Sequence, residues 1–243
     1  MKTLGGIPVL YEDEGWFALD KPSGLPVHRG YTRERRTLVD LLRPEMPAGI
    51  HTVHRLDRGT SGLLLVARTP ELARAFQVLF EGHHVHKVYL ALARGVVPED
   101  EVIDHPIPTG PEKDAPRAEA RTRVRRLAFL RIEGSPLHEP RYSLILAEPE
   151  SGRFHQVRRH LSHTAHPLLG DSDHGRPDHN RLLRDRVGLG RLALHAAELR
   201  FPHPTTGAPV TLRAPLPDDL AAPLRALGFD LDAALRLAGL AGG

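Results

Sequence analysis

His54-Arg55-Leu56-Asp57-Arg58-Gly59-Thr60-Ser61-Gly62, running into Leu63-Leu64-Leu65-Val66-Ala67, is the stretch from which the rest of the chain is read. Its second half is a continuous apolar run bounded by Gly62 and Pro70, the pattern of a buried strand. Its first half gathers polar and charged side chains just before that strand, where a rigid element can present a site. Asp57 has Arg55 and Arg58 close by in sequence. A nearby cation favours the ionised carboxylate. An ionised carboxylate in a cleft can attack an electrophilic carbon or steady an oxocarbenium-like sugar. The same residues equally allow an Asp–Arg pair that merely ties down a turn.

Working outward, a helix is predicted directly after the apolar run. Thr69 can cap it, Pro70 fits its first turn, Leu72, Phe76, Leu79 and Phe80 recur at helical spacing, and Gly82 stops it. Strands are expected at 16–19, 88–93, 141–147, 192–201 and 210–212, a turn leading into a helix at 152–161, and short helices near 217–227 and 230–240. Lys21-Pro22-Ser23-Gly24 turns the chain after the first of these strands. Strand runs mixed with scattered helices, without strict βαβ alternation, indicate an α+β fold with a mixed, mostly antiparallel sheet flanked by helices. No repeat and no Pro/Gly/Ser linker divides the chain, so one domain over residues 1–243 is expected.

Composition narrows the chemistry. The chain has no cysteine, which excludes disulfides, thiolate metal sites and a Cys nucleophile. Residues 1–11 show no signal-peptide pattern and no apolar run approaches bilayer length, so a cytoplasmic protein without membrane association is expected. Only four of the 33 basic residues are Lys; the rest are Arg, whose planar fork suits phosphate. The net charge is +3, and the excess is concentrated: residues 153–191 hold eight Arg against four Asp, and six of the 16 His. Such a patch is the electrostatic footprint of a polyanion-binding face. No P-loop or dinucleotide fingerprint occurs.

The segment HRLDRGTSGLLLVA resembles the signature of the RluA-type pseudouridine synthases, and further motifs follow in the family's order. Asp20-Lys21-Pro22-Ser23-Gly24 with Val27-His28 resembles the family's N-terminal element. Lys87-Val88-Tyr89-Leu90-Ala91 resembles its K-x-Y-x-A strand, Gly152-Arg153-Phe154-His155-Gln156-Val157-Arg158 its GRxHQxR motif, and Gly170-Asp171-Ser172-Asp173-His174-Gly175 its GDxxYG loop. The resemblance covers about residues 7–215. It implies the pseudouridine synthase catalytic fold with a cleft across the sheet. It also implies an isomerase that breaks the N1–C1′ bond of uridine, turns the base and joins C5 to C1′, with no cofactor or metal. By that resemblance Asp57 is the catalytic aspartate. Tyr89 packs on the target base, Arg158 ion-pairs with the aspartate, and Arg55 lies near a flipped nucleotide. His54, Arg153, His155 and Arg159 belong to the same motifs. With Arg176, Arg181 and Arg184 of the basic segment they are the candidate RNA contacts.

Two departures narrow the resemblance. His174 stands at the Tyr of GDxxYG, and Arg158-Arg159-His160-Leu161 leads into Ser162-His163-Thr164-Ala165-His166-Pro167. With the stretch 178–196 these features resemble the subgroup that modifies uridine 65 of tRNA. The resemblance implies a monomer without the small S4 RNA-binding domain that many members carry in front. Close relatives with the same core modify 23S rRNA, which is the alternative target. Two rival classes remain: a non-catalytic RNA-binding module, and a metal-dependent phosphoesterase using His155, His160, His163 and His166 with Asp171, Asp173 and His174. Histidines at helical spacing on a basic face more simply meet phosphates or cap loops.

Overall fold

In a computed structural model of the chain, which describes residues 2–29, 36–46, 49–112, 114–137 and 140–240, the apolar run forms a strand buried along its whole length. In chain order the first strands are β1 (Thr3–Leu4), β2 (Ile7–Glu12), β3 (Trp16–Lys21), β4 (His51–Thr52), β5 (Ser61–Ala67), β6 (His86–Arg94) and β7 (Asp100–Asp104). They are followed by β8 (Ile107–Pro108), β9 (Arg117–Ala118), β10 (Arg121–Arg131), β11 (Arg141–Pro149), β12 (Leu194–Pro202) and β13 (Pro209–Arg213). The helices are α1 (Leu38–Leu42), α2 (Pro70–Glu81), α3 (Gln156–His163), α4 (Pro177–Val187), α5 (Asp218–Leu227) and α6 (Leu231–Ala238). The α+β reading holds.

The chain divides into two compact units, Met1–His86 with Ala196–Pro215, and Lys87–His195 with Leu216–Gly243. In the first unit the strand order is β1-β2-β3-β5-β12, with β4 added to β5 and β13 to β12. β3 and β5 run antiparallel from Trp16 opposite Ala67 to Lys21 opposite Gly62. Their apolar faces meet α2 and β12 through Trp16, Phe76 and Phe201, whose rings pack edge to face at 5.3 to 5.7 Å. α2 has the predicted ends: the Thr69 hydroxyl accepts from Leu72 N, Pro70 opens the helix and Gly82 closes it. Gly62 has φ +104, and a Cβ there would lie 2.2 Å from the carbonyl oxygen of Ala196. Only glycine lets β5 start that close to β12.

In the second unit the order is β6-β11-β10-β7, antiparallel throughout, with a separate β8-β9 ribbon. α3 lays Val157 and Leu161 on a core that includes Ala91, Val124, Ile145 and Leu168. The strand pattern at 121–131 escapes prediction. Thr122 and Val124 point inward between arginines, then a bulge between Arg126 and Ala128 shifts the register. α4 is likewise not predicted, because its three apolar residues stand among seven charged or polar ones. No helix among the described residues is long and apolar enough to cross a membrane.

Candidate active site

Asp57 sits in the loop between β4 and β5. The Thr60 amide donates to Asp57 O at 3.1 Å and closes a turn, while Leu56 is buried beneath it. The Lys21-Pro22-Ser23-Gly24 turn clasps this loop. Lys21 is fully buried, and its Nζ donates to the carbonyls of Pro22 and Leu25 and, at 3.3 Å, of Arg58. Ser23 Oγ donates to Gly59 O at 2.7 Å, Gly24 N to Arg58 O at 2.8 Å, and Arg58 Nε back to Gly24 O at 3.1 Å. A buried ammonium holding three carbonyls ties the 22–25 turn to the backbone just after Asp57 with charge-assisted bonds. The flanking Arg58 therefore serves the turn, and Arg55 is exposed. His54 accepts at Nε2 from Leu65 N at 2.9 Å and lies against the Phe80 ring, which ties the loop to β5 and α2. That acceptor role requires a neutral Nε2.

The second unit carries Tyr89 and Arg158. Tyr89 lies on β6 opposite Ala147 of β11, half-buried against the unit's core. Two residues earlier, Lys87 is buried, and burial pushes its pKa down to about 8. Arg158 projects from α3, whose first turn is organised by Gln156. Its Oε1 accepts from Ser151 Oγ and Arg153 N, and its Nε2 donates to Arg121 O and Thr122 Oγ1. The Arg158 guanidinium is buried and makes a two-pronged pair with Asp171, Nε to Oδ2 at 2.8 Å and Nη2 to Oδ1 at 2.7 Å. Nη2 also reaches Asp173 Oδ2 at 2.7 Å.

Asp171 is the hub of the 170–175 loop. Its side chain is fully buried, and Oδ1 also accepts the amides of Asp173 and His174 at 2.9 and 3.0 Å. Burial pushes its pKa up, but Arg158 and these amides win and hold the carboxyl below its ordinary value. Asn180 of α4 bridges Gly170 N and Asp171 O, both at 2.8 Å. Gly170 has φ +73, and a Cβ there would lie 1.8 Å from Arg191 O. The sequence marks the Gly170-Asp171 loop as a motif but not as the anchor of Arg158, and it does not mark Lys21 as the clasp. No local pattern shows a partner 13 or 37 residues away.

The remaining candidates sort by environment. Arg153, Arg176, Arg181 and Arg184 are exposed. Arg176 and Arg184 lie near Asp178 and Asp185, at 3.6 and 3.3 Å. Arg159 is half-buried and donates to the carbonyls of Pro108 and Gly110, so it braces β8. Of the four histidines at 155–166, only His160 and His163 lie in α3, and both face His105. His160 is wholly buried between Thr122 Oγ1 and His105 O, which corrects the expectation that it meets phosphate or caps a surface loop. His163 stacks on His105, and His155 sits outside the helix as its left-handed N-cap. Of the metal-type set only His155, Asp173 and His174 converge, with ligand atoms within 4.8 Å of one another. His155 Nδ1 and His174 Nε2 share a 3.0 Å hydrogen bond and Asp173 is paired to Arg158, so a cation there would have to displace a guanidinium.

Comparison with known proteins agrees with this arrangement of motifs. The pattern of the RNA pseudouridylate synthase family matches residues 15–163. The tRNA pseudouridine synthase C of Pectobacterium carotovorum is 41% identical over 222 residues, 86% of this chain, which spans 58% of that longer protein. The protein of the same name from Vibrio cholerae is 37% identical over 222 residues, covering 86% of this chain and 91% of its own. Among solved structures, human RNA pseudouridylate synthase domain containing 1 superposes with a TM-score of 0.71 at 26% identity, over 92% of this chain and 89% of its own. Human RNA pseudouridylate synthase domain containing 4 gives 0.70 at 26% identity, over 90% and 92%. The chain belongs to the RNA pseudouridylate synthase family, and is an isomerase acting on uridine in RNA.

Proposed function

We propose that the protein converts uridine 65 in the T stem of tRNA to pseudouridine, with Asp57, Tyr89 and Arg158 as its catalytic set. The observation that carries the tRNA reading is the match to proteins named tRNA pseudouridine synthase C along 86% of the chain. Position 65 follows from the subgroup features at 158–167, 174 and 178–196. The family pattern at 15–163 runs across the boundary at residue 86, which supports one working catalytic domain. The enzyme acts as a cytoplasmic monomer.

The chemistry asks little beyond positioning. The target base leaves its stack at a cost of a few kcal/mol. Asp57, held by the Lys21 clasp, presents an ionised carboxylate to the nucleoside. Arg158, oriented by Asp171, is the basic member of the set. The Tyr89 ring offers uracil an apolar face and one polar tip. The N1–C1′ bond breaks, C5 joins C1′, the C5 proton leaves and N1 gains one, so no atom is lost and no redox partner is needed. Arg55, Arg153, Arg176, Arg181 and Arg184 meet RNA phosphates, since a stem is read by shape, phosphate and 2′-hydroxyl.

Mapping pseudouridine in tRNA and 23S rRNA from a deletion strain, with and without the gene restored, tests the target. Loss confined to tRNA position 65 is expected, and loss confined to rRNA refutes the tRNA reading. Purified Asp57→Asn should bind the same RNA and form no product. Product formation by that variant would remove Asp57 from the mechanism.

A further inference from the structure

Three of the chain's four lysines lie among the described residues, and two of these are matched by partners. Lys2 pairs with Glu12, and Lys21 donates to the carbonyls of Pro22, Leu25 and Arg58. Lys87 is the exception. It is 8% exposed, yet among the described residues its ammonium has no hydrogen bond and no ion pair. No charged side chain among them shifts its titration, and burial alone lowers its pKa, to about 8. Burying a cation without a counter-ion costs stability, because the charge gives up water and gains no partner. Tyr89, two residues on, belongs to the proposed catalytic set, and Lys87 does not.

β6 runs from His86 to Arg94, and side chains two apart on a strand share a face, so Lys87, Tyr89, Ala91 and Ala93 point the same way. Ala91 and Ala93 belong to the core on which Val157 and Leu161 of α3 rest, and Tyr89 packs against it. Lys87 therefore begins that row, about 7 Å along the strand from Tyr89. Its ammonium is not sealed in. Among the described residues, the side-chain polar atoms both shut off from solvent and unpartnered are Thr60 Oγ1 and Arg68 Nε. Lys87 Nζ is not one of them, so a buried stem carries the charge to the surface. There it can meet a ligand without movement of the backbone. A uracil carbonyl would leave the charge uncompensated. A phosphate supplies the missing anion, and lysine binds it as a point charge.

We propose that Lys87 binds a phosphate of the target nucleotide, beside the Tyr89 ring on which its uracil rests. The contact rests on the reading of the chain as a pseudouridine synthase in which Tyr89 meets the base, and it adds the group that holds that nucleotide's backbone. The ammonium takes no part in breaking or forming bonds, so its removal weakens substrate and transition state alike. The phosphate favours the charged amine. Below about pH 8 the free enzyme already carries that charge, and above it binding takes up a proton.

The test compares wild type, Lys87→Met and Lys87→Arg on a uridine-containing tRNA transcript, by binding at several salt concentrations and by steady-state conversion between pH 7 and 9. Met keeps an unbranched stem and removes the unpaired charge, and thermal unfolding confirms that the fold is kept. For Lys87→Met at pH 7 the expected result is a KM raised about tenfold, as for loss of one charge-assisted hydrogen bond, with kcat within about twofold. Its log–log salt slope should be shallower by about one. Wild-type affinity should fall severalfold from pH 8 to 9, with proton uptake seen by calorimetry in buffers of different ionisation enthalpy. Lys87→Arg, which stays charged throughout, should bind as wild type does at pH 7 and lack that fall. An unchanged KM, salt slope and pH dependence in Lys87→Met would reveal a merely hydrated amine and overturn the contact. A fall in kcat at constant KM would overturn it too, by assigning Lys87 to the chemistry. A wild type that forms no pseudouridine on tRNA or rRNA would instead refute the proposed function, an outcome the Lys87 variants cannot mimic.

Discussion

Replacing Asp171 with Asn removes one charge from the buried pair that orients Arg158. The carboxylate receives four bonds at 2.7 to 3.0 Å: two from the guanidinium and two from the amides of Asp173 and His174. Asn keeps one oxygen for the amides and turns an NH2 toward the guanidinium, where donor meets donor. Breaking a buried ion pair from one side costs about 3–5 kcal/mol. Asp173, half-exposed, still holds Nη2, so the lower end applies and about 3 kcal/mol is expected. For a chain of this size that is a Tm lower by roughly 10 °C. Arg158 then loses its fixed plane, and if it belongs to the catalytic set as proposed, a displacement of about 1 Å there costs on the order of 100-fold in rate. Urea denaturation and single-turnover conversion of tRNA read the two effects. A cycle with Arg158→Met should give a coupling of about 2 kcal/mol or more. The acid limb gives a second signature. Asp171 titrates below 3.8 in the fold, so its contribution is complete above about pH 4 and is lost as pH falls through the folded value. The variant lacks that loss. Stability within about 0.5 kcal/mol of wild type and an unaltered single-turnover rate would refute the claim that Asp171 holds Arg158 in place.

Lys87 predicts the opposite limb. Its pKa of about 8 lies below the ordinary 10.5, so the folded state disfavours its charge at neutral pH. Wild-type stability relative to Lys87→Met should rise as pH climbs from about 8 to 10.5, by at most about 3 kcal/mol, measured by urea unfolding across that range. A flat difference would show the ammonium to be solvated. Removing charge at Arg176, Arg181 and Arg184 together should weaken RNA binding and flatten its salt slope, roughly one unit for each phosphate no longer neutralised. An unchanged slope would place the RNA on another face.

The elements that the sequence predicts well are those whose signals are local. Thr69, Pro70 and Gly82 mark both ends of α2 without help from the rest of the fold, and the run 63–67, bounded by Gly62 and Pro70, has the pattern of a buried strand. β10 is hidden because its outward positions are arginines and its alternation is interrupted at Arg126 and Ala128. α4 hides for a related reason: Leu182, Leu183 and Val187 give too narrow an apolar stripe to stand out from its charges. The same division runs through the site. Asp57, Tyr89 and Arg158 lie in recognisable motifs. The groups that immobilise the loops, Lys21 and Asp171, act on residues distant in sequence. His160 misleads for the same reason, since its spacing on α3 says nothing of Thr122 and His105, which enclose it.

The way the chain threads its two units has a consequence for biosynthesis. The first unit opens the polypeptide, but the neighbour of β5 on its far side, β12, and the strand β13 that pairs with β12 arrive only after residue 195. While the ribosome produces the intervening hundred or so residues, an apolar strand whose far edge meets only the short β4 must wait, and such an edge invites association with other nascent chains. A message truncated just before codon 196 should therefore yield insoluble product, whereas one that runs through residue 215 supplies the strands that cover that edge.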